Sequence, residues 1–324
     1  MALPYSEIGA IAHNLILEKA THGVFNSNTV LKRFRDKAVI EEGGNNIKAP
    51  LAIVDDTGTN GGFYSPNDSL SLSSYDALSA SFHEWKYINE SIVILKADIA
   101  KAGGKYGVLK LIDEKVRVGE RAMQQRMMKG LYSDGTVSTG ALSADQYVGV
   151  LLAIKGSGTY GSIAPADLAS WISYVNGNSG TPRAISQAIL DLSIEKGSKG
   201  SMRPTLGFGS TTVVAKIKAL MPTYQRVVNT NSSLNGLGHK DEVLDYAGVA
   251  IVADDNIDSS DNDSFYLINE NFAKIHVHKD NNMRVQKISD LETSDSLLER
   301  IFDYSAFVVY ERCLHSKIED ITLT

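Results

Sequence analysis

Several short groupings in this chain are of residue types that do chemistry. Gly156-Ser157-Gly158-Thr159-Tyr160-Gly161 spells G-x-G-x-x-G, the turn whose glycines let a dinucleotide pyrophosphate approach a helix N-terminus. A working turn of that kind follows a strand and has an acidic strand end about twenty residues on. Here the preceding segment has helical spacing and no such acid follows, so the run reads as a loop. Asp254, Asn256 and Asp258 imitate the opening of a calcium loop, but Ser259 replaces the required glycine and Phe265 the bidentate glutamate. An acidic, solvated β-turn is expected there, with Asp255, Asp261 and Asp263 adding carboxylates of weak cation affinity. His276 and His278 share one face of a strand, with Asp280 the nearest further ligand. Without a placed third ligand they read as a surface or interface pair. His83-Glu84 begins like a zinc-protease helix, but Tyr87 stands where the second histidine is needed, and Cys313 and His315 are only neighbours in sequence. No nucleophile elbow, Walker loop or cysteine pair is present. The expectation is a non-enzyme with no catalytic, cofactor-binding or metal residues.

Composition supports that. A chain of 324 residues with 43% hydrophobic content can build a substantial core. Its net charge of −6, with both signs mixed, argues against gripping nucleic acid as the main task, because counterion release needs clustered cations. Lys32-Arg33-Phe34-Arg35 is the basic knot, expected as a solvated, mobile face. No apolar run is long enough to span a bilayer, and Met1 to Glu7 lacks a signal-peptide layout. A single cysteine, Cys313, excludes an internal disulfide framework and fits a reducing cytoplasm.

The elements begin with an arm. Ser6 to Ala20 is amphipathic, and a polar stretch ending in Gly43-Gly44-Asn45-Asn46 follows, with too few apolar groups for a core of its own. A long hairpin is next: Lys48 to Val54 as one strand, turn chemistry at Asn60-Gly61-Gly62, and Ser81 to Ile94 as the returning strand. That ribbon has aromatics on one face and charged and aliphatic residues on the other, and it needs a partner surface. The spacing then predicts a helix over Lys105 to Lys129, with Val108, Ile112, Val116, Gly119, Met123 and Met127 as its stripe and Gly130 as a left-handed cap. At ~1.5 Å per residue it extends ~37 Å. A capping box at Ser143 to Gln146, helices from Pro165 and Thr181, a strand over Thr205 to Gly209 and a helix capped by Ser210 give a mixed α/β stretch. From Tyr246 the chain reads as mostly β, with strands at Val249 to Val252, Phe265 to Ile268, Lys274 to His278 and Ile301 to Tyr310.

That order resembles the major capsid proteins of tailed phages, the Hong Kong 97 capsid fold. The likeness rests on Ser81 to Ile94 leading into Lys105 to Leu131, on Thr159 to Ile163 with Pro165 to Val175 and Arg203 to Leu206, and on Phe265 to Ile268 with Arg300 to Tyr310. It implies an α+β chain divided into an N-terminal arm (1–44), an extended loop hairpin (45–96), the start of a peripheral domain with the spine helix (97–131), an axial domain (132–264) and a return to the peripheral domain (265–324). It implies a structural subunit of an icosahedral phage shell, assembling as pentamers and hexamers around double-stranded DNA in the host bacterial cytoplasm, and localised to the virion capsid. An encapsulin-like nanocompartment shell is the alternative within the fold. A nucleotide-dependent enzyme using the 156–161 loop is the alternative outside it. Assembly contacts are expected at Phe63, Tyr64, Trp85, Lys86, Tyr87, Arg117 and Arg121. The implied partners are further copies of the chain, a separate scaffolding protein (the chain begins too late to carry the helical scaffold of some relatives), a portal, decoration proteins and DNA held non-specifically. Some relatives link a loop lysine covalently to a neighbour. The tip from Asp55 to Ser74 has no lysine, so no cross-linking is expected.

Overall fold

A computed structural model describes residues 28–52, 63–67, 69, 78–102, 105–135, 146–221, 244–257, 261–290 and 295–323. The expectations for Ser6 to Ala20, most of the hairpin tip, Gly103-Gly104 and Ser143 to Asp145 lie outside the described residues. The helices are α1 (Thr29–Asp36), α2 (Lys96–Lys101), α3 (Lys105–Leu131), α4 (Val150–Ala153), α5 (Gln187–Lys196) and α6 (Thr211–Leu220). The strands run from β1 (Val39–Glu41), β2 (Asn46–Ala52), β3 (Leu78–Glu84), β4 (Lys86–Leu95) and β5 (Tyr174–Asn176) to β6 (Leu206–Gly209). They continue as β7 (Leu244–Tyr246), β8 (Val249–Ala253), β9 (Phe265–Ile268), β10 (Ala273–His278), β11 (Arg284–Asp290), β12 (Ser296–Val309) and β13 (Ser316–Ile318).

Two sheets organise the chain. In the first, β12 is the central strand. Ser305 pairs with both Val277 and Lys86, and Phe302 with both Arg284 and Asn89. So β10 and β11 lie end to end along one edge of β12, with β4 along the other and β1 parallel to β10. The second sheet has six strands in the order β5-β13-β9-β6-β8-β7. The sequence expectation placed 265–324 as one return to the first unit. Instead β9 and β13 join the six-stranded sheet while β10 to β12 build the other, because the register pairs Phe265–Ile268 with β6. One core runs between them, with Ile112, Val116 and Met123 of α3, Phe208, Tyr266, Ile301 and Phe307 all buried in it.

The spine helix α3 lies across the inner face of β4 through the expected stripe. Gly119 is part of the reason it fits: a Cβ there would sit 2.8 Å from Ile92 Cγ1. The helix does not end at Gly130. It runs on to Leu131, and Gly130 instead leaves room for the Tyr147 ring, 3.0 Å from where its Cβ would be. Other helices are shorter than their patterns suggested. Gln146 to Gly149 precedes a four-residue α4 whose N-cap is Gly149. Pro165 leads only to a 3-10 turn at Ala169–Trp171, since Tyr174 to Asn176 is claimed by pairing with β13. α5 starts at Gln187 with Ser186 as cap, and it buries Leu190 and Ile194 while Leu192 is exposed. The Thr205 strand and the Ser210-capped α6, with Val213 and Ile217 inward, are as the sequence indicates.

The arm corrects the sequence reading most. Asn28 caps α1 by accepting from Leu31 N, and Val30, Leu31 and Phe34 are fully buried. The basic knot is not a mobile, solvated face. Arg33 grips Glu270 with two bonds of 2.6 and 2.8 Å, Arg35 lies 3.5 Å from Asp303, and Asn28 donates to Asp254. Burial alone would raise the Glu270 carboxyl, but Arg33, with Lys37 and Thr205, holds it below the usual glutamate value.

Candidate assembly interface

The long ribbon is two elements rather than one strand. β3 pairs with β2 as a two-stranded root, from Asn46 opposite Glu84 to Ala52 opposite Leu78. β4 pairs instead with β12. The break is Trp85, whose indole N–H donates to Gly44 O at 3.0 Å and whose ring meets His278 edge-on at 5.7 Å. Trp85 is 8% exposed, so this expected contact residue is already used inside its own chain, packed with Ile47, Ala49, Ala306 and Val308.

The root is locked from its other side by the glycine run. Phe82 N donates to Gly161 O at 3.0 Å. Gly161 has φ +56°, and a Cβ on it would lie 2.6 Å from Ser81 and 3.0 Å from the His83 ring. The run therefore cradles a strand of the same chain, in a cleft of about 240 Å³ between Phe82, His83, Tyr160 and Phe307. The helix before it and the cradle within it leave no phosphate turn of the dinucleotide kind. The Tyr160 hydroxyl accepts from Val309 N, and the Arg312 guanidinium lies over both the Tyr160 and Trp171 rings while donating to the Ala153 and Lys155 carbonyls at 2.8 Å each.

The other chemical groupings resolve into buried structure. Asp254 is not solvated: it is 3% exposed and accepts from Tyr132, Asn28 and Asn256. His276 is not a surface residue; it is 2% exposed, between Glu41 at 3.1 Å and the Tyr310 hydroxyl at 2.6 Å. His83 bonds Ser81, and burial, with the charge of His276, brings its pKa down to about 4. His315 accepts from Asn269 N, and burial followed by the Arg312 charge lowers it to about 3. Cys313 bonds Glu311, not His315. Among the described residues no group of three or more His, Cys, Asp or Glu could hold a metal.

What faces outward is apolar and aromatic. At the described part of the hairpin tip, Phe63 is fully exposed and Tyr64 is 66% exposed. Tyr87 is 65% exposed, edge-on to Tyr304. Lys86 is drawn to Glu84 at 3.2 Å. Arg117, bonded to Asp113 at 3.2 Å, and Arg121 stand on the exposed side of α3, with Val118 at 63% exposure between them. Sequence reasoning missed Val93 and Leu95, 41% and 47% exposed. The alternation along β4, with Ile92 and Ile94 inward, was the signal that marks them.

No protein-family model matches the chain, and a search of curated proteins finds no match. Solved structures do match. The capsid asymmetric unit of cyanophage A-1(L) superposes with a TM-score of 0.64 at 17% identity, over 90% of this chain and 92% of that one. The capsid of a native GTA particle gives 0.59 at 12% identity, over 90% of each. The holo-SrpI encapsulin complex from Synechococcus elongatus gives 0.54 at 8% identity, over 90% and 88%. At these identities the likeness is one of fold, and it extends over nine-tenths of the chain. The chain has the Hong Kong 97 capsid fold of tailed-phage major capsid proteins.

Proposed function

We propose that the chain is the structural subunit of an icosahedral phage shell, which assembles as pentamers and hexamers around a double-stranded DNA genome. The observation that carries this is a hairpin whose root is pinned into the core while Phe63 and Tyr64, at its described tip, are exposed. Exposed aromatics of that kind are the anchors of interfaces, and repetition around a closed shell multiplies contacts that are individually modest. On this reading the six-stranded lobe meets its counterparts at capsomer centres and the β12 sheet meets them at threefold positions. A separate scaffolding protein, a portal and decoration proteins complete the particle. DNA inside is held without sequence preference. Assembly takes place in the host cytoplasm, and the work is structural rather than catalytic.

A second reading has its own observation in the likeness to the encapsulin complex. Both are tested by size exclusion and negative-stain imaging of the expressed chain, alone and in infected cells. Megadalton closed shells support a shell subunit, and a compact monomer or dimer under both conditions rejects it. Nuclease-protected DNA in the particles assigns them to a phage, whereas enclosed protein without DNA assigns them to a compartment.

A further inference from the structure

The side of α3 that points away from the sheet carries cations without matching acids. Arg117, Arg121, Gln125 and Lys129 follow at every fourth position, so they form one row of ~18 Å along the helix surface. All four are exposed, and beyond Glu114 no exposed side chain of α3 is a carboxylate. Helix stability does not account for the row. Arg117 reaches back to Asp113 at 3.2 Å, but its side chain stays 60% exposed, and exposed pairs of that kind hold weakly. Arg121 and Lys129 have no hydrogen bond or ion pair among the described residues. Arg117 and Arg121 repel each other at their four-residue spacing. The helix dipole favours a cation only in the last turn, where Lys129 stands. Arg126, off the row, is used within the chain instead, bonded to Glu90 at 2.6 Å and to Asn89 O at 2.8 Å.

The two faces of the β12 sheet are covered by different elements. α3 packs on the face of Ile92 and Ile301, and the hairpin root packs on the opposite one, against Ala306 and Val308. In a wall built of such subunits, the helix row and the hairpin root lie on opposite sides. A row of exposed cations with no acid to answer it matches a polyanion, and phosphate contacts carry no base sequence information. We infer that the row Arg117, Arg121, Gln125 and Lys129 is a contact for the phosphate backbone of duplex DNA, and that the α3 side of the sheet meets the genome. Three cations bind weakly in one subunit, and many copies along one duplex make the contact effective. This rests on the shell reading and names the surface that holds DNA. It moves Arg117 and Arg121 from subunit contacts to the nucleic acid.

The test removes the row's charges in the full chain, with Arg117→Gln, Arg121→Gln and Lys129→Gln combined. Unassembled subunits are titrated against labelled duplex DNA of mixed sequence from about 50 to 200 mM salt. Three phosphate contacts supply a slope of about −2.7 in log affinity against log salt, which the variant should lose. Its binding at ~50 mM salt should be at least tenfold weaker. Removing three exposed cations elsewhere, with Lys155→Gln, Lys196→Gln and Arg203→Gln, should change neither quantity. Thermal melting should match the original, and shells should close in normal yield, because the row touches no neighbouring subunit. If the triple variant does not fold, Arg121→Gln alone decides, with a slope shallower by about one. Unchanged DNA binding in these variants, or an equal loss in the control, overturns the contact. A variant that binds DNA as before but closes no shells also overturns it, and gives the row to a protein neighbour. An unmodified chain that binds DNA through this row yet forms no shell rejects the shell reading and leaves the contact standing.

Discussion

Replacing Arg33 tests whether the arm is part of the folded body. Its guanidinium meets Glu270 at 2.6 and 2.8 Å, and the glutamate side chain is 1% exposed. Removing one partner of a buried pair costs ~3–5 kcal/mol, because the other charge is left without compensation. Glu270 would keep Lys37 at 3.4 Å and Thr205 at 3.1 Å, so Arg33→Met belongs at the lower end, ~3 kcal/mol. At roughly 2 °C per kcal/mol for a chain of this size, unassembled subunits should melt ~6 °C lower at pH 7. The sign with pH follows from the carboxyl being held below its ordinary 4.5. The pair stabilises fully above that value, and its contribution is lost as pH falls through the lower folded value. The gap between wild type and variant should close over that window. Arg33→Met with Glu270→Leu removes both charges and should return to within ~1 kcal/mol of wild type. A single variant that loses less than ~1 kcal/mol, or a double variant no better than the single, refutes a docked arm held by this pair.

Gly119→Val should destabilise by ~1–3 kcal/mol in denaturant melts, since its Cβ would meet Ile92 at 2.8 Å, and Ile92→Ala in the same chain should restore part of the loss. His315 is neutral in its buried site with a pKa of about 3 against an ordinary 6.5, so stability is complete above 6.5 and falls as pH drops toward 3. At pH 5 the cost is ~2 kcal/mol, and His315→Asn, whose side-chain oxygen can accept from Asn269 N, should flatten the melting profile between pH 6.5 and 5. Deleting residues 55–76 should leave a folded, soluble subunit that closes no shells, and normal particles from that chain would show the hairpin is not an intersubunit strap. Mature particles should run as single subunits on denaturing gels, because the tip has no lysine; ladders of linked chains would contradict this.

What the sequence made legible was local. β6, β8, β9 and α6 fall where alternation, a helical stripe and the Ser210 cap place them, because neighbouring residues alone set those patterns. The arm was not legible, since Val30, Leu31 and Phe34 stand among cations whose carboxylate partner Glu270 is 237 positions away. A charge run without its partner in view looks solvated. The glycine run was equally opaque: its letters suit a phosphate, and only the crossing of β3 over Gly161 shows which backbone it cradles. The ribbon hides its division for a related reason. Alternation passes through Trp85 without any turn residue, so sequence shows one strand where the fold makes two. Trp85 can end the strand because Gly44 and His278, from distant segments, hold its ring. On one side β3 commits the root to the body. On the other, β4 turns Tyr87, Val93 and Leu95 outward, so an aromatic and aliphatic surface for a neighbour continues beyond that tryptophan, apart from Phe63 and Tyr64 at the tip.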